Sequence, residues 1–343
     1  GVETINVAFT GSGGLAVTQL DLQDATGVDN AINITRISDG LGAAGATIDN
    51  ISSIPVDLSV ANSGQPTQDI TFGFKNSAVS GNADSINVTI SDVQARNLAV
   101  QSRLPTAGFG IETINLVSSG SANSLVQLRI EDAETLNISG EEDLTLQGTA
   151  NVVNAGIVEA ETYTAGLGNV AGSLSLVDAS GLEGNLVIAL GAETVATKDN
   201  TSGQQVNFVL KGAAGNDNVV LINGMNTGDS LDLGLGANNL TVLATTQTGA
   251  VINAQTLTVL NQAAVANTIG VDAGVFTGLN SVVVRNEGNN GVGSSAAAPM
   301  TTNLLNLAAT PASDITVKHG TTGNNGLVQN ILNVDVAAGV SAV

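Results

Sequence analysis

With nine Lys and Arg against thirty Asp and Glu, this chain of 343 residues carries a formal charge of −21 at neutral pH. Phosphate backbones and anionic lipid surfaces are therefore electrostatically poor partners, which sets aside nucleic-acid and peripheral-membrane functions. Only 11% of residues are charged while 43% are hydrophobic, so the acidity reflects missing bases, and the composition is that of a folding chain. The absence of Cys and Trp and the presence of a single His exclude a disulfide framework, a Cys/His zinc centre and a thiol nucleophile.

Gly1 is preceded by no initiator Met and followed by no basic-then-apolar leader, which reads as a processed or trimmed segment of a longer protein. The first word, Gly1–Val7 (G-V-E-T-I-N-V), alternates apolar residues with Thr and Asn, as a half-buried strand requires. It returns as G-I-E-T-I-N-L at Gly110–Leu116, more loosely as A-E-T-L-N-I at Ala133–Ile138, and its tail is echoed at Gln255–Val259. Gly40–Gly45 and Ser102–Gly110 read as turns between modules, and Phe72 and Phe74 as core residues on one strand face.

Beyond residue 110, short runs ended by Gly, Asn or Asp predict strands at 111–117, 125–130, 135–139, 144–147, 174–177, 186–190, 206–210, 219–222, 231–233 and 240–243. That spacing suits a sandwich, a barrel or a solenoid whose rungs are each a strand and a turn. Asn286–Pro299 is too small and polar to bury much surface and reads as a loop; a short helix is expected over 303–307, and apolar runs resume at 315–317 and 327–336. An all-β chain of stacked β-modules with a β-solenoid or β-roll-like portion is the fold expected.

The stretch richest in potential chemistry is Gly212–Val220 (G-A-A-G-N-D-N-V-V), followed by Gly228–Val242 (G-D-S-L-D-L-G-L-G-A-N-N-L-T-V). It resembles the RTX nonapeptide, in which glycines turn the backbone, an aspartate ligates calcium and an apolar residue two places on faces the core. The resemblance assigns Gly215 and Gly236 to turn glycines, Asp217 to the ligand, and Asn238 to the ligand's place in the second copy, with Asp229 and Asp232 as further calcium ligands. Ala213 departs from the pattern where a glycine is usual, and Asn238 offers a neutral carbonyl in place of a carboxylate. The same Asp and Asn residues also suit a plainer role, closing turns through side-chain hydrogen bonds, and the sequence leaves both readings open.

Val177–Gly184 (V-D-A-S-G-L-E-G) with Leu186–Leu190 resembles a strand cassette that precedes such repeats in RTX-type S-layer proteins and related type I secreted cell-surface proteins. The resemblance covers roughly residues 110–245. It implies an extracellular structural protein at the surface of a Gram-negative bacterium, self-assembling into a lattice or filament, with calcium as its ion. The turn at Ser102–Gly110 and the loop at Asn286–Pro299 divide the chain into three expected parts: a β-rich module at 1–105, a solenoid-like region with RTX-like calcium turns at 106–290, and a loop and β-rich segment at 291–343. Expected partners are further copies of the chain, with cell-surface polysaccharide as an anchoring candidate, and neither nucleic acid nor membrane insertion.

A type I secreted adhesin and a filament-forming matrix protein are the alternatives. A β-helical carbohydrate-active enzyme ranks lower. Glu141 with Asp143, or Glu159 with Glu161, could share a strand face as paired carboxylates, whereas the adjacent Glu131 and Asp132 point to opposite faces, and aromatic residues amount to only 2%. His319 has no second His to join it, and no nucleophile elbow or phosphate loop is present, so no catalytic residue and no organic cofactor is assigned.

Overall fold

The alternating words become strands because each places its Val, Ile or Leu on one face of a pleat and its Thr or Asn on the other, and the apolar face must be covered. The computed structural model describes residues 2–11, 18–103, 109–130, 132–154, 157–168, 173–191, 207–222, 224–243, 249–261, 268–286, 300–308, 314–319 and 330–337. Over these the chain is all-β, winding as a solenoid in which each coil gives one strand to each of two parallel stacks. Among the described residues no helix is long and apolar enough to cross a membrane.

The first coil holds β1 (Thr4–Phe9) and β2 (Gln19–Asp21), the second β3 (Ala31–Ile37) and β4 (Ala46–Ile51), the third β5 (Asp57–Gly64) and β6 (Asp69–Phe74). In the fourth, one long strand, β7 (Ser85–Ser102), serves both stacks, turning the corner at Asp92 with φ of 57°. There follow β8 (Thr113–Ser119) with β9 (Asn123–Arg129), and β10 (Thr135–Gly140) with β11 (Leu144–Asn154). β11 leaves the stack after Leu146 and pairs antiparallel with β12 (Ile157–Ala165), a hairpin inserted into the coil before β13 (Leu167–Gly168) rejoins β9.

The later coils are β14 (Leu176–Leu182) with β15 (Leu186–Leu190), β16 (Val209–Lys211) with β17 (Asn218–Leu221), and β18 (Ser230–Asp232) with β19 (Asn239–Leu243). Then come β20 (Ala250–Ile252) with β21 (Thr256–Asn261), β22 (Thr268–Asp272) with β23 (Ser281–Asn286), β24 (Met300–Leu307) with β25 (Ile315–His319), and β26 (Asn330–Val336). β7 pairs with β8 and β9, so strand pairing runs directly between the first two parts inferred from sequence. Apart from the β11–β12 hairpin, all named strand pairs are parallel, and a separate three-stranded sheet is formed by β22, β24 and β26.

Stacking brings like residues into axial rows. The T-I-N and T-L-N words lie directly on one another: Thr113, Ile114 and Asn115 pair with Thr135, Leu136 and Asn137. Inside, Ile86, Ile114, Leu136, Val177, Leu210, Leu231 and Val251 make one row and Leu146, Ile188, Val219, Leu240, Leu257 and Val282 another, all at most 1% exposed. Each such side chain contributes about 1.5–3 kcal/mol by burial. Phe72 and Phe74 are fully buried in β6, as their spacing predicts.

Outside, asparagines form a rung-to-rung ladder. Asn115 Nδ2 donates to Asn87 Oδ1 (3.0 Å), Asn137 Nδ2 to Asn115 Oδ1 (2.9 Å), and Asn239 Nδ2 to Asn218 Oδ1 (2.9 Å). The coil length that these bonds span varies, 28 residues from Asn87 to Asn115, 22 to Asn137 and 21 from Asn218 to Asn239.

Two expectations change. Residues 303–307, expected as a short helix, lie in β24, where Thr302 and Leu304 point inward and pair with β26. Gly40–Gly45 is a 3₁₀ turn at a corner inside one coil, started by Ser38, whose Oγ accepts the Gly40 N–H (3.3 Å). The predicted loop at 286–299 falls almost wholly outside the described residues.

Candidate functional site

The glycine-rich words occupy the corner between the two stacks. Chain leaving β16 passes Gly212–Asp217 to enter β17, and one coil later chain leaving β18 passes Leu233–Asn238 to enter β19. Asp217 and Asn238 thus stand at the same place in consecutive coils, since Asn218 pairs with Asn239. Both are buried, at 2% and 0% exposure.

A buried polar group must find partners, and these two find them by opposite chemistry. Asp217 is an acceptor only: the Leu186 N–H donates to Oδ1 (2.8 Å) and the Ala213 N–H to Oδ2 (2.6 Å). Asn238 uses both ends of its amide. Its Oδ1 accepts the Asp217 N–H (2.8 Å), while Nδ2 donates to the carbonyls of Leu233 (2.7 Å) and Asn253 (3.1 Å). Gln255 continues the series, its Oε1 accepting the Asn238 N–H (2.7 Å).

The turn in the first coil therefore presents an N–H to its buried side chain, the turn in the next presents a C=O, and the residue type matches the peptide orientation. An outer row stitches in the reverse sense: Asp143 Oδ1 accepts the Asn185 N–H (2.7 Å), Asn185 Oδ1 the Asn216 N–H (2.6 Å), and Asn216 Oδ1 the Ala237 N–H (2.7 Å). Gly215 and Gly236 allow the two turns to stack. A Cβ on Gly215 would fall 2.5 Å from Asn185 Oδ1, and one on Gly236, whose φ is +90°, would fall 2.2 Å from the Gly215 carbonyl oxygen.

Asp229 and Asp232 sit at the two ends of β18 with separate partners. Asp229, 2% exposed, accepts the Phe208 N–H on Oδ1 (2.9 Å) and the Asn226 N–H on Oδ2 (2.8 Å). Asp232 Oδ1 accepts the Gly234 N–H (3.0 Å) and the Asn253 amide (2.6 Å). Burial pushes the Asp217 carboxyl up to about 6 against the opposing pull of the Leu186 and Ala213 N–H groups. Burial likewise raises Asp229, opposed by the Phe208 and Asn226 N–H groups.

The structure thus joins Asp217 directly to Asn238 and gives Asp229 and Asp232 independent sets of backbone and amide donors. Among the described residues no three His, Cys, Asp or Glu side chains gather as a group that could hold a metal ion. The contacts that are present are those of turn closure.

One device at the coil corners has no counterpart in the sequence reading. The Asp232–Asn253 contact is repeated by Asp21 with Asn50 (2.8 Å) and by Asp272 with Asn306 (3.0 Å). In all three, the Asp Oδ1 also accepts the N–H two residues on, that of Gly234, Gln23 or Gly274, and the Asn lies in the left-handed region, with φ of 62°, 59° and 54°. The aspartate closes its own turn and clasps the left-handed Asn of the next coil, sparing the backbone a glycine. The Asn50 amide, followed by the Gln23 N–H, holds the Asp21 carboxyl below the usual carboxylate range. The signal is an apolar-Asp-apolar word (L-D-L, V-D-A) followed one coil later by an Asn with an apolar residue directly after it (D-N-I, I-N-A, L-N-L).

The paired acids of the carbohydrate reading are placed only in part. Asp132, buried at a left-handed corner with φ of 61°, accepts the Phe109 N–H (2.8 Å), while Glu131 lies outside the described residues. Glu159 and Glu161 belong to β12 of the inserted hairpin, with Glu161 opposite Asn151 and Glu159 at a shift in the pairing; their side chains, like that of His319, lie outside the described residues. Compared with known proteins, the chain matches no family model, no curated protein and no solved structure.

Proposed function

We propose that this chain is a structural scaffold, a building block that works by assembly into an extracellular layer, array or filament. The observation that carries the reading is the axial ladder. Stacked coils present to one another rows of backbone N–H and C=O groups, and at several places amide side chains meet at the same height, as where Asn33 donates to Asn6 (2.8 Å), Asn239 to Asn218 (2.9 Å) and Asn333 to Asn303 (2.7 Å). Such a surface is additive, because whatever stacks one coil on the previous one can stack a further coil or a further copy. The corner residues fit the same reading, as their polar atoms are spent holding coils at a fixed spacing and register.

The cell-surface location and the calcium requirement enter the proposal through the resemblance to RTX-type S-layer proteins. Asp217, Asp229, Asp232 and Asn238 act in it as turn closers first, and calcium is tested separately. Sedimentation and light scattering of the purified chain across a concentration series, with excess calcium and with chelator, test both parts. Large ordered species that form with rising concentration support assembly, and their loss in chelator supports calcium. A monomer at every concentration that retains a discrete glycan or protein ligand supports the adhesin reading instead.

A further inference from the structure

Asp84 and Glu112 occupy the same corner position in consecutive coils, immediately before β7 and β8. The Thr113 N–H donates to the Asp84 carbonyl (3.0 Å), and the Asp84 N–H donates to Glu112 Oε2 (2.7 Å), so the Glu112 carboxyl is folded back against Asp84. Gly81 closes over the Asp84 carboxylate from the other side, where an added Cβ would fall 2.8 Å from both of its oxygens. The result is an orphan: Asp84 Oδ2 is buried and receives no hydrogen bond.

Glu134 stands at the same height one coil further on, its N–H donating to the Glu112 carbonyl (2.9 Å). The half-buried Glu112 is therefore flanked by an acid in the coil before and an acid in the coil after, and these are the charged groups that act on it. Burial, then the charges of Asp84 and Glu134, hold its carboxyl above the ordinary range, against the pull of backbone N–H groups, that of Asp84 first.

We propose that Asp84 and Glu112 form a proton-operated staple between consecutive coils. As the pH falls, one proton from solvent binds Glu112, whose O–H then donates to Asp84 Oδ2 and satisfies the one open acceptor at this corner. As the pH rises the proton returns to solvent, and two carboxylates face one another across a single coil spacing. The folded state binds this proton more tightly than the unfolded chain, so the staple is fully closed below the ordinary carboxyl range and is lost as pH rises through the elevated one. This device is independent of the assembly reading, since it acts within one chain.

Hydrogen exchange of the segments around 81–88 and 109–115, corrected for intrinsic rate and followed from mildly acidic to mildly alkaline pH, tests it. Wild-type protection should fall with rising pH, by up to about tenfold for each pH unit separating the folded and unfolded carboxyl. Glu112→Gln supplies a permanent amide donor to Asp84 Oδ2, and Asp84→Asn a permanent donor to Glu112. Both should keep the corner protected at alkaline pH and flatten the profile, while Glu134→Gln should move the wild-type midpoint to lower pH. A wild-type corner whose protection does not fall with pH overturns the staple. So does a Glu112→Gln or Asp84→Asn protein that folds yet keeps the wild-type pH profile.

Discussion

Changing Asn238 to Asp separates the two meanings of the glycine-rich turn, because it creates the carboxylate that a calcium word calls for and removes the amide that the turn uses. The acceptor side is conserved, as one carboxylate oxygen can still take the Asp217 N–H. The donor side is lost. The carbonyls of Leu233 and Asn253, now reached at 2.7 and 3.1 Å, would face a buried anion. Each unsatisfied buried acceptor costs about 1–3 kcal/mol, and the uncompensated charge adds to that, so a loss of about 3–6 kcal/mol is expected. Coil stacks unfold locally, and the loss should appear first as reduced exchange protection in β17 and β19 and then as a lower midpoint in urea. The two proteins are compared in chelator and in excess calcium. Turn closure predicts a destabilised variant in both, with relief at acid pH as the protonated carboxyl regains one donor. A variant that calcium makes more stable than the wild type would show that the turn is an ion site and refute the argument.

Asp217 carries a stability effect of known sign. Its carboxyl is raised from the ordinary 3.8 to about 6, so it penalises the charged folded state by about 3 kcal/mol at neutral pH. The benefit of protonation is complete below 3.8 and lost as pH rises through about 6, so urea midpoints that climb with pH across this window in the difference between wild type and Asp217→Asn would contradict it. Asn50→Ala removes the bonds to Asp21 (2.8 Å) and from Arg103 (3.1 Å) and puts a Cβ residue without a side-chain partner in the left-handed region, for about 2–3 kcal/mol. Asn50→Gly should recover about 1 kcal/mol of that, and thermal melts of the pair check the difference. Gly236→Ala should cost several kcal/mol or fail to fold, because the Cβ meets the Gly215 carbonyl at 2.2 Å, whereas Gly42→Ala, with nothing within 4 Å of the new Cβ but a backbone at φ 56° and ψ −139°, should cost about 1–3 kcal/mol through backbone strain alone.

How far the sequence reaches depends on what each residue answers to. The Thr-Ile-Asn words are legible because period-two alternation is local, and their mutual similarity follows from lying on one another in the stack. The strand at 300–307 is hidden because Leu304 and Leu305 break the alternation. The structure absorbs that doublet in a pairing shift between Leu304 and Leu307 with Asn306 left-handed, a bulge that periodicity alone cannot distinguish from a helical turn. The turns at Gly212–Asp217 and Leu233–Asn238 are evident from their glycines. What the buried side chain touches is not, because the Asp217 partner Leu186 lies 31 residues back and the Asn238 partner Asp217 lies 21 back. Coil length is irregular, so those pairings exist only once the whole stack is registered. The Asp–Asn clasps escaped for the same reason, each joining residues 21 to 34 positions apart.

A coil surface made to receive the next coil should also receive the next molecule. Electron microscopy and fibre diffraction of the concentrated chain test it most directly. Ordered filaments or sheets are expected, with a reflection at about 4.8 Å along the solenoid axis, the spacing of hydrogen-bonded strands continued through the assembly. Dispersed single particles at every concentration, with calcium and without, would contradict it.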